Sequence, residues 1–162
     1  MDRRGMQIVF LSHCILNQNT VVEPLARAKG SYNQIIAEIL NKNIGIYQMP
    51  CPEFEFLGID RKSMTYSNYD NLENYRRNCS EYAFVIYKNI KEYLDKGYII
   101  KGIMGINESP TCSISGQRGI FMEELFRILE DKKIVIPYIE VSINYIEDKQ
   151  NDLKKIIDFL EN

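Results

Sequence analysis

Apolar residues in this chain fall into short continuous runs separated by longer stretches of helical spacing, an alternation that predicts the order βαβαβαβα. Ile8-Val9-Phe10-Leu11 is uninterrupted, as expected of a strand covered on both faces. From Ser31, a suitable N-cap, Ile35, Ile36, Ile39 and Leu40 recur at helical intervals until Asn41 to Asn43 closes the stretch. Ile44-Gly45-Ile46-Tyr47 reads as the second strand. Pro50-Cys51-Pro52-Glu53 then stops regular structure by removing backbone donors and fixing φ on both sides of the cysteine. Phe54 to Tyr69 is aromatic-rich without a clear period and stays unassigned. A long helix capped by Asp70 or Asn71 runs to about Lys96, with Tyr75, Tyr82, Ile86, Ile90 and Tyr93 near one face and Gly97 as its stop. The third strand is Tyr98 to Ile106. Beyond a loop reaching Gly119 come a helix over Ile120 to Glu130, a fourth strand over Ile134 to Val141 and a terminal helix over Asp148 to Leu160.

Such alternation predicts an α/β fold: one domain over residues 1–162, with a mostly parallel four-stranded sheet and helices on both faces. Right-handed crossovers between near neighbours make 2-1-3-4 the simplest strand order. No repeat, low-complexity tract or interdomain linker interrupts the chain.

Composition narrows the partner. Twenty basic residues stand against 22 acidic ones, for a net charge of −2, and no long block of one sign appears. That balance argues against a nucleic-acid polymer or a membrane surface and favours a small molecule. No 18 apolar residues run together, and the segment after Arg3 and Arg4 is too short for a signal peptide, so a cytoplasmic protein is expected. Cysteines in that reducing compartment more often serve metals or catalysis than disulfides.

The chemistry on offer is thiol chemistry. Of four cysteines, Cys14, Cys51 and Cys112 each follow a predicted strand. The carboxyl ends of parallel strands are where an open α/β sheet gathers its ligands. In the order 2-1-3-4 those three ends are adjacent, and adjacent strands lie about 4.8 Å apart, so loops of this length can bring the thiols around one object. A metal or metal cluster and a set of unrelated small core residues are both compatible with that placement. Cys79 lies inside the long helix and reads as a structural thiol.

The local words carry more. Ser12-His13-Cys14-Ile15-Leu16 resembles the Ser-x-Cys-Leu-Leu opening of the thiouracil desulfidase family, Cys51-Pro52-Glu53 its Cys-Pro-Glu, and Ser109-Pro110-Thr111-Cys112 its Ser-Pro-x-Cys. The three occur in the family's order, from Gln7 to about Gly119. The resemblance implies a [4Fe-4S] cluster held by Cys14, Cys51 and Cys112, with the fourth iron free to bind the sulfur of a thiocarbonyl substrate such as a thiouracil-like base or nucleoside. It implies Glu53 as the acid/base carboxylate and Ser109 as a polar group beside the reacting carbon. This chain departs from the family pattern in having His13 where a small residue is usual, and Ser113 where glycine usually follows the cysteine.

His13, Asn17 and Asn107 stand near the expected mouth and are candidate pocket residues; His13 also reads as a hydrogen-bonded packing residue, and Asn17, Asn19 and Asn107 as loop residues that satisfy backbone. Gly116 to Gly119 precede a helix but form no phosphate-binding motif. Two rivals use the same residues: a non-catalytic metal or sulfur-handling module on the three thiols, and a hydrolase built on one activated cysteine with His13. The latter leaves two of the three cysteines without a purpose.

Overall fold

Strands β1 (Gln7–Leu11), β2 (Gly45–Gln48), β3 (Ile99–Ile106) and β4 (Tyr138–Val141) pair in parallel in the spatial order β2-β1-β3-β4, in a computed structural model that describes all 162 residues. Alternation along β1 splits the core between two faces. Ile8 and Phe10 pack with the long helix α5 (Tyr75–Asp95) and with α6 (Ile120–Asp131). Val9 and Leu11 pack with α2 (Asn33–Asn41) and α7 (Lys149–Glu161). The expected fold class and strand order are those of the molecule. No helix is long and apolar enough to cross a membrane.

Several element bounds differ from expectation. The second strand is an edge strand, with Gly45 and Gln48 exposed and Ile46 and Tyr47 half-buried, rather than covered on both faces. The fourth strand begins only at Tyr138, because Pro137 has no N–H to give the sheet, and Val135, 91% exposed, lies outside the core. The unassigned stretch holds two short helices, α3 (Pro52–Leu57) and α4 (Tyr66–Asp70). Pro52 does not end structure; it occupies the first turn of α3, where its missing N–H costs nothing. The long helix starts at Tyr75, with Asn74 before it in a left-handed conformation (φ 67°) and no side-chain cap, since α4 already uses Asp70. His13 to Leu16 forms one helical turn, α1, in place of an extended strand end.

Two glycines give the Cys112 loop its room. A Cβ on Gly105 would stand 2.6 Å from the Cys112 carbonyl oxygen, and one on Gly119 2.2 Å from the Thr111 carbonyl carbon. The loop therefore folds back on the end of β3, where Ile106 N–H donates to that Cys112 carbonyl at 3.1 Å.

Candidate functional site

A cavity of about 290 Å³ opens at the carboxyl ends of the strands and is lined by Cys14, Cys51 and Cys112 together. Each reaches it from a different device. Cys14 sits on α1 directly after β1, and its carbonyl accepts from Gln18 Nε2 at 2.9 Å. Cys51 caps α3, its Sγ accepting from Phe54 N–H at 3.5 Å. Cys112 ends a turn organised by Ser109, whose Oγ accepts from the N–H groups of Thr111 (3.3 Å) and Cys112 (3.0 Å).

Although each of these residues keeps some exposed surface, its sulfur is enclosed. Burial pushes all three thiols up, Cys14 to about 12, and the Cys51 and Glu53 charges add to the push on Cys14. On Cys112 the charges of Cys14, Cys51 and Glu53 act the same way. Three thiolates here would repel one another in a poorly solvated space, a cost that a bound cationic centre offsets. A neutral thiol is also a poor nucleophile.

Glu53 lines the same cavity. Its Oε2 accepts from Arg61 Nε at 3.2 Å in a pair whose side chains are 12% and 3% exposed. The remaining guanidinium nitrogens of Arg61 donate to the carbonyls of Gly58 (3.2 Å) and Thr20 (2.6 Å). One arginine thus ties the helix that carries Cys51 and Glu53 to the segment that follows Cys14. Glu53 Oε1 has no protein partner.

Ser109 and Asn107 line the cavity as expected, but His13 and Asn17 do not. His13 turns its Nδ1 to the Met49 carbonyl at 3.2 Å, because the α1 turn points it at the β2 exit. Asn17 Oδ1 is used by Asn19, accepting from its backbone and side-chain nitrogens. Cys79 is fully buried in the core behind α5, as its position in the helix predicts. The sequence reading missed Arg61, Tyr69 and Arg27, all of which line the cavity. They lie in stretches without a period, so nothing in their spacing marked them.

Glu140 was missed as well, although a carboxylate near the carboxyl end of a short apolar strand was a signal to follow. It accepts from Ile114 N–H (2.6 Å), Ser115 N–H, the hydroxyls of Ser113 and Ser115, and Asn107 Nδ2, and so anchors the loop after Cys112. Burial pushes its carboxyl up, but these donors outweigh that and hold it below the ordinary 4.5. A depressed carboxyl stabilises the fold above the unfolded value, and that contribution is lost as pH falls through the folded one. Glu140→Gln is therefore expected to cost about 1–3 kcal/mol near neutrality. It should also flatten the loss of stability on acidification, read by thermal unfolding between about pH 3 and 6.

No three His, Cys, Asp or Glu side chains are placed to share one metal ion. A single zinc ion needs all its donors within about 2.3 Å of one point, whereas a cluster distributes its thiolates over several irons. The donor set, three thiols lining one cavity, has the chemistry that iron–sulfur clusters take.

No protein-family model matches the chain, and no solved structure matches it. It is 41% identical over 158 residues to the uncharacterized protein MJ0003 of Methanocaldococcus jannaschii, an alignment covering 98% of this chain and 97% of that protein. At that identity over nearly the whole of both sequences, the chain belongs to the family of that archaeal protein.

Proposed function

We propose that the protein is an iron–sulfur dependent desulfidase of the thiouracil desulfidase type, acting in the cytoplasm on a thiolated small molecule such as a thiopyrimidine base or nucleoside. The supporting observation is the meeting of Cys14, Cys51, Cys112 and Glu53 on one cavity, from three motifs far apart in the chain. Cys14, Cys51 and Cys112 would hold a [4Fe-4S] cluster. With three protein thiolates, such a cluster supplies an open iron position, a Lewis acid suited to a soft thiocarbonyl sulfur.

The chain's own groups manage the rest. Val22, Leu25, Met64 and Ile143 give the cavity apolar walls against which a planar ring can lie. Arg61 fixes Glu53 with Oε1 left free to take a proton from a water adding at the thiocarbonyl carbon, and to return it to the departing sulfur. The C=S bond is replaced by C=O, sulfur leaves as hydrogen sulfide, and no electrons are exchanged. Ser109 lines the cavity, but its Oγ already accepts two backbone N–H groups, so its first task is to shape the Cys112 turn. The one-cysteine hydrolase lacks its base, because His13 bonds the Met49 carbonyl and lies off the cavity.

Anaerobically reconstituted protein is expected to release sulfide from 2-thiouracil and to yield uracil in equal amount. Cluster-loaded protein that releases no sulfide from thiocarbonyl compounds would leave only the binding-module reading.

A further inference from the structure

Of the eight arginines, six pair with a carboxylate, and Arg3 is exposed near the start of the chain. Arg27 is the one that is half-buried with no carboxylate partner, and it lines the cavity. Its guanidinium is held among cavity residues. Nε donates to the Ile143 carbonyl at 2.9 Å, and the group stands against the Tyr32 hydroxyl and close enough to Cys14 to oppose the rise that burial imposes on both. Its backbone N–H donates to Gln18 Oε1 at 2.8 Å, while Gln18 Nε2 donates to the Cys14 carbonyl at 2.9 Å. One buried glutamine thus ties Arg27 to the turn that carries Cys14. No carboxylate or backbone carbonyl takes Nη1 or Nη2.

The other charges of the wall leave this cation unanswered. Glu53 pairs with Arg61. Glu108 is exposed and also lines an adjoining polar hollow with Thr65, Ser113 and Gln117, a hollow that Arg27 does not line. A cation partly withdrawn from water attracts an anion more strongly than an exposed one, and the guanidinium fork matches a carboxylate in two parallel bonds. At about 290 Å³ the cavity falls just below the ~300–1,000 Å³ of pockets for drug-sized ligands. Shared with a cluster, that space suits one ring with a short substituent better than a ring with a sugar phosphate. We propose that Arg27 is a substrate-binding residue for an anionic substituent, with Nη1 and Nη2 taking a carboxylate attached directly to the thiocarbonyl ring. This assignment deepens the desulfidase reading and rests on the cavity being its substrate site.

The probes are 2-thiouracil and its derivatives carrying a carboxylate at C5 or at C6, with sulfide release measured on anaerobically reconstituted protein. Wild type is expected to show a KM about ten- to hundredfold lower for one of the carboxylates than for 2-thiouracil. Arg27→Gln should raise that KM by the same factor, while KM for 2-thiouracil stays within about twofold and bound iron is unchanged. Arg27→Lys, which keeps the charge without the fork, should recover part of the preference. Titration with the matching uracil carboxylates and with uracil, which have no sulfur to lose, should give dissociation constants in the same order. Wild type that takes neither carboxylate better than the plain ring overturns the role of Arg27 and leaves the desulfidase reading standing. A preference for 2-thiouridine 5′-monophosphate instead, lost in Arg27→Gln, overturns the carboxylate. Arg27→Gln that loses iron while the preference holds assigns the charge to the cluster and overturns the substrate role. Uracil carboxylates that bind through Arg27 to a protein releasing no sulfide keep the anion site and overturn the desulfidase; no binding and no release overturn both.

Discussion

Replacing any one of Cys14, Cys51 or Cys112 with alanine is expected to abolish the iron–sulfur absorption of the reconstituted protein, while Cys79→Ala keeps it. The two kinds of cysteine differ in place. The first three line one cavity, and Cys79 does not. Cys79 is fully buried in the core, where losing its sulfur opens a small void at about 1 kcal/mol. Absorbance and bound iron check the first effect, thermal unfolding of the metal-free proteins the second. A cluster that survives one of the three replacements removes that residue from the ligand set.

Glu53→Gln is expected to lower sulfide release by about 10²-fold or more while iron and sulfide content stay at the wild-type level. The amide keeps an oxygen to accept from Arg61 Nε, which matters because that guanidinium is 3% exposed. Glu53→Ala is the harsher change. It leaves a buried cation unpaired, at about 3–5 kcal/mol, so its lost activity would be hard to separate from a damaged fold. Initial rates with cluster quantification on the same sample check the prediction. Release by Glu53→Gln within tenfold of wild type would move the proton-handling role to another group.

The fold was readable because its signals are redundant. Each central strand is an apolar run, each long helix has one apolar face, and the parallel order follows once connections are right-handed. What failed was local. Pro52 looked like a breaker because proline's use in a helix's first turn shows only when the following residues are known to be helical. Val135 looked like a strand residue because an apolar run does not reveal that Pro137 shortens the pairing.

The candidate site divides similarly. The thiols, Glu53, Ser109 and Asn107 were readable because strand ends and short motifs carried them to one place. His13 and Asn17 lie within three residues of Cys14 but are turned away by one helical turn and an asparagine cap. Arg61 and Tyr69 were invisible for the opposite reason: tertiary packing alone brings the 54–69 stretch over the cavity.

Whether Cys14, Cys51 and Cys112 together hold one cluster is decided by anaerobic reconstitution of wild type and of the triple variant Cys14→Ala, Cys51→Ala, Cys112→Ala, followed by an absorption spectrum and measurement of iron and acid-labile sulfide. Wild type should bind about four irons and four sulfides per chain with the cluster's charge-transfer absorption, and the triple variant none. Wild type without iron, or a triple variant that retains it, would contradict the account.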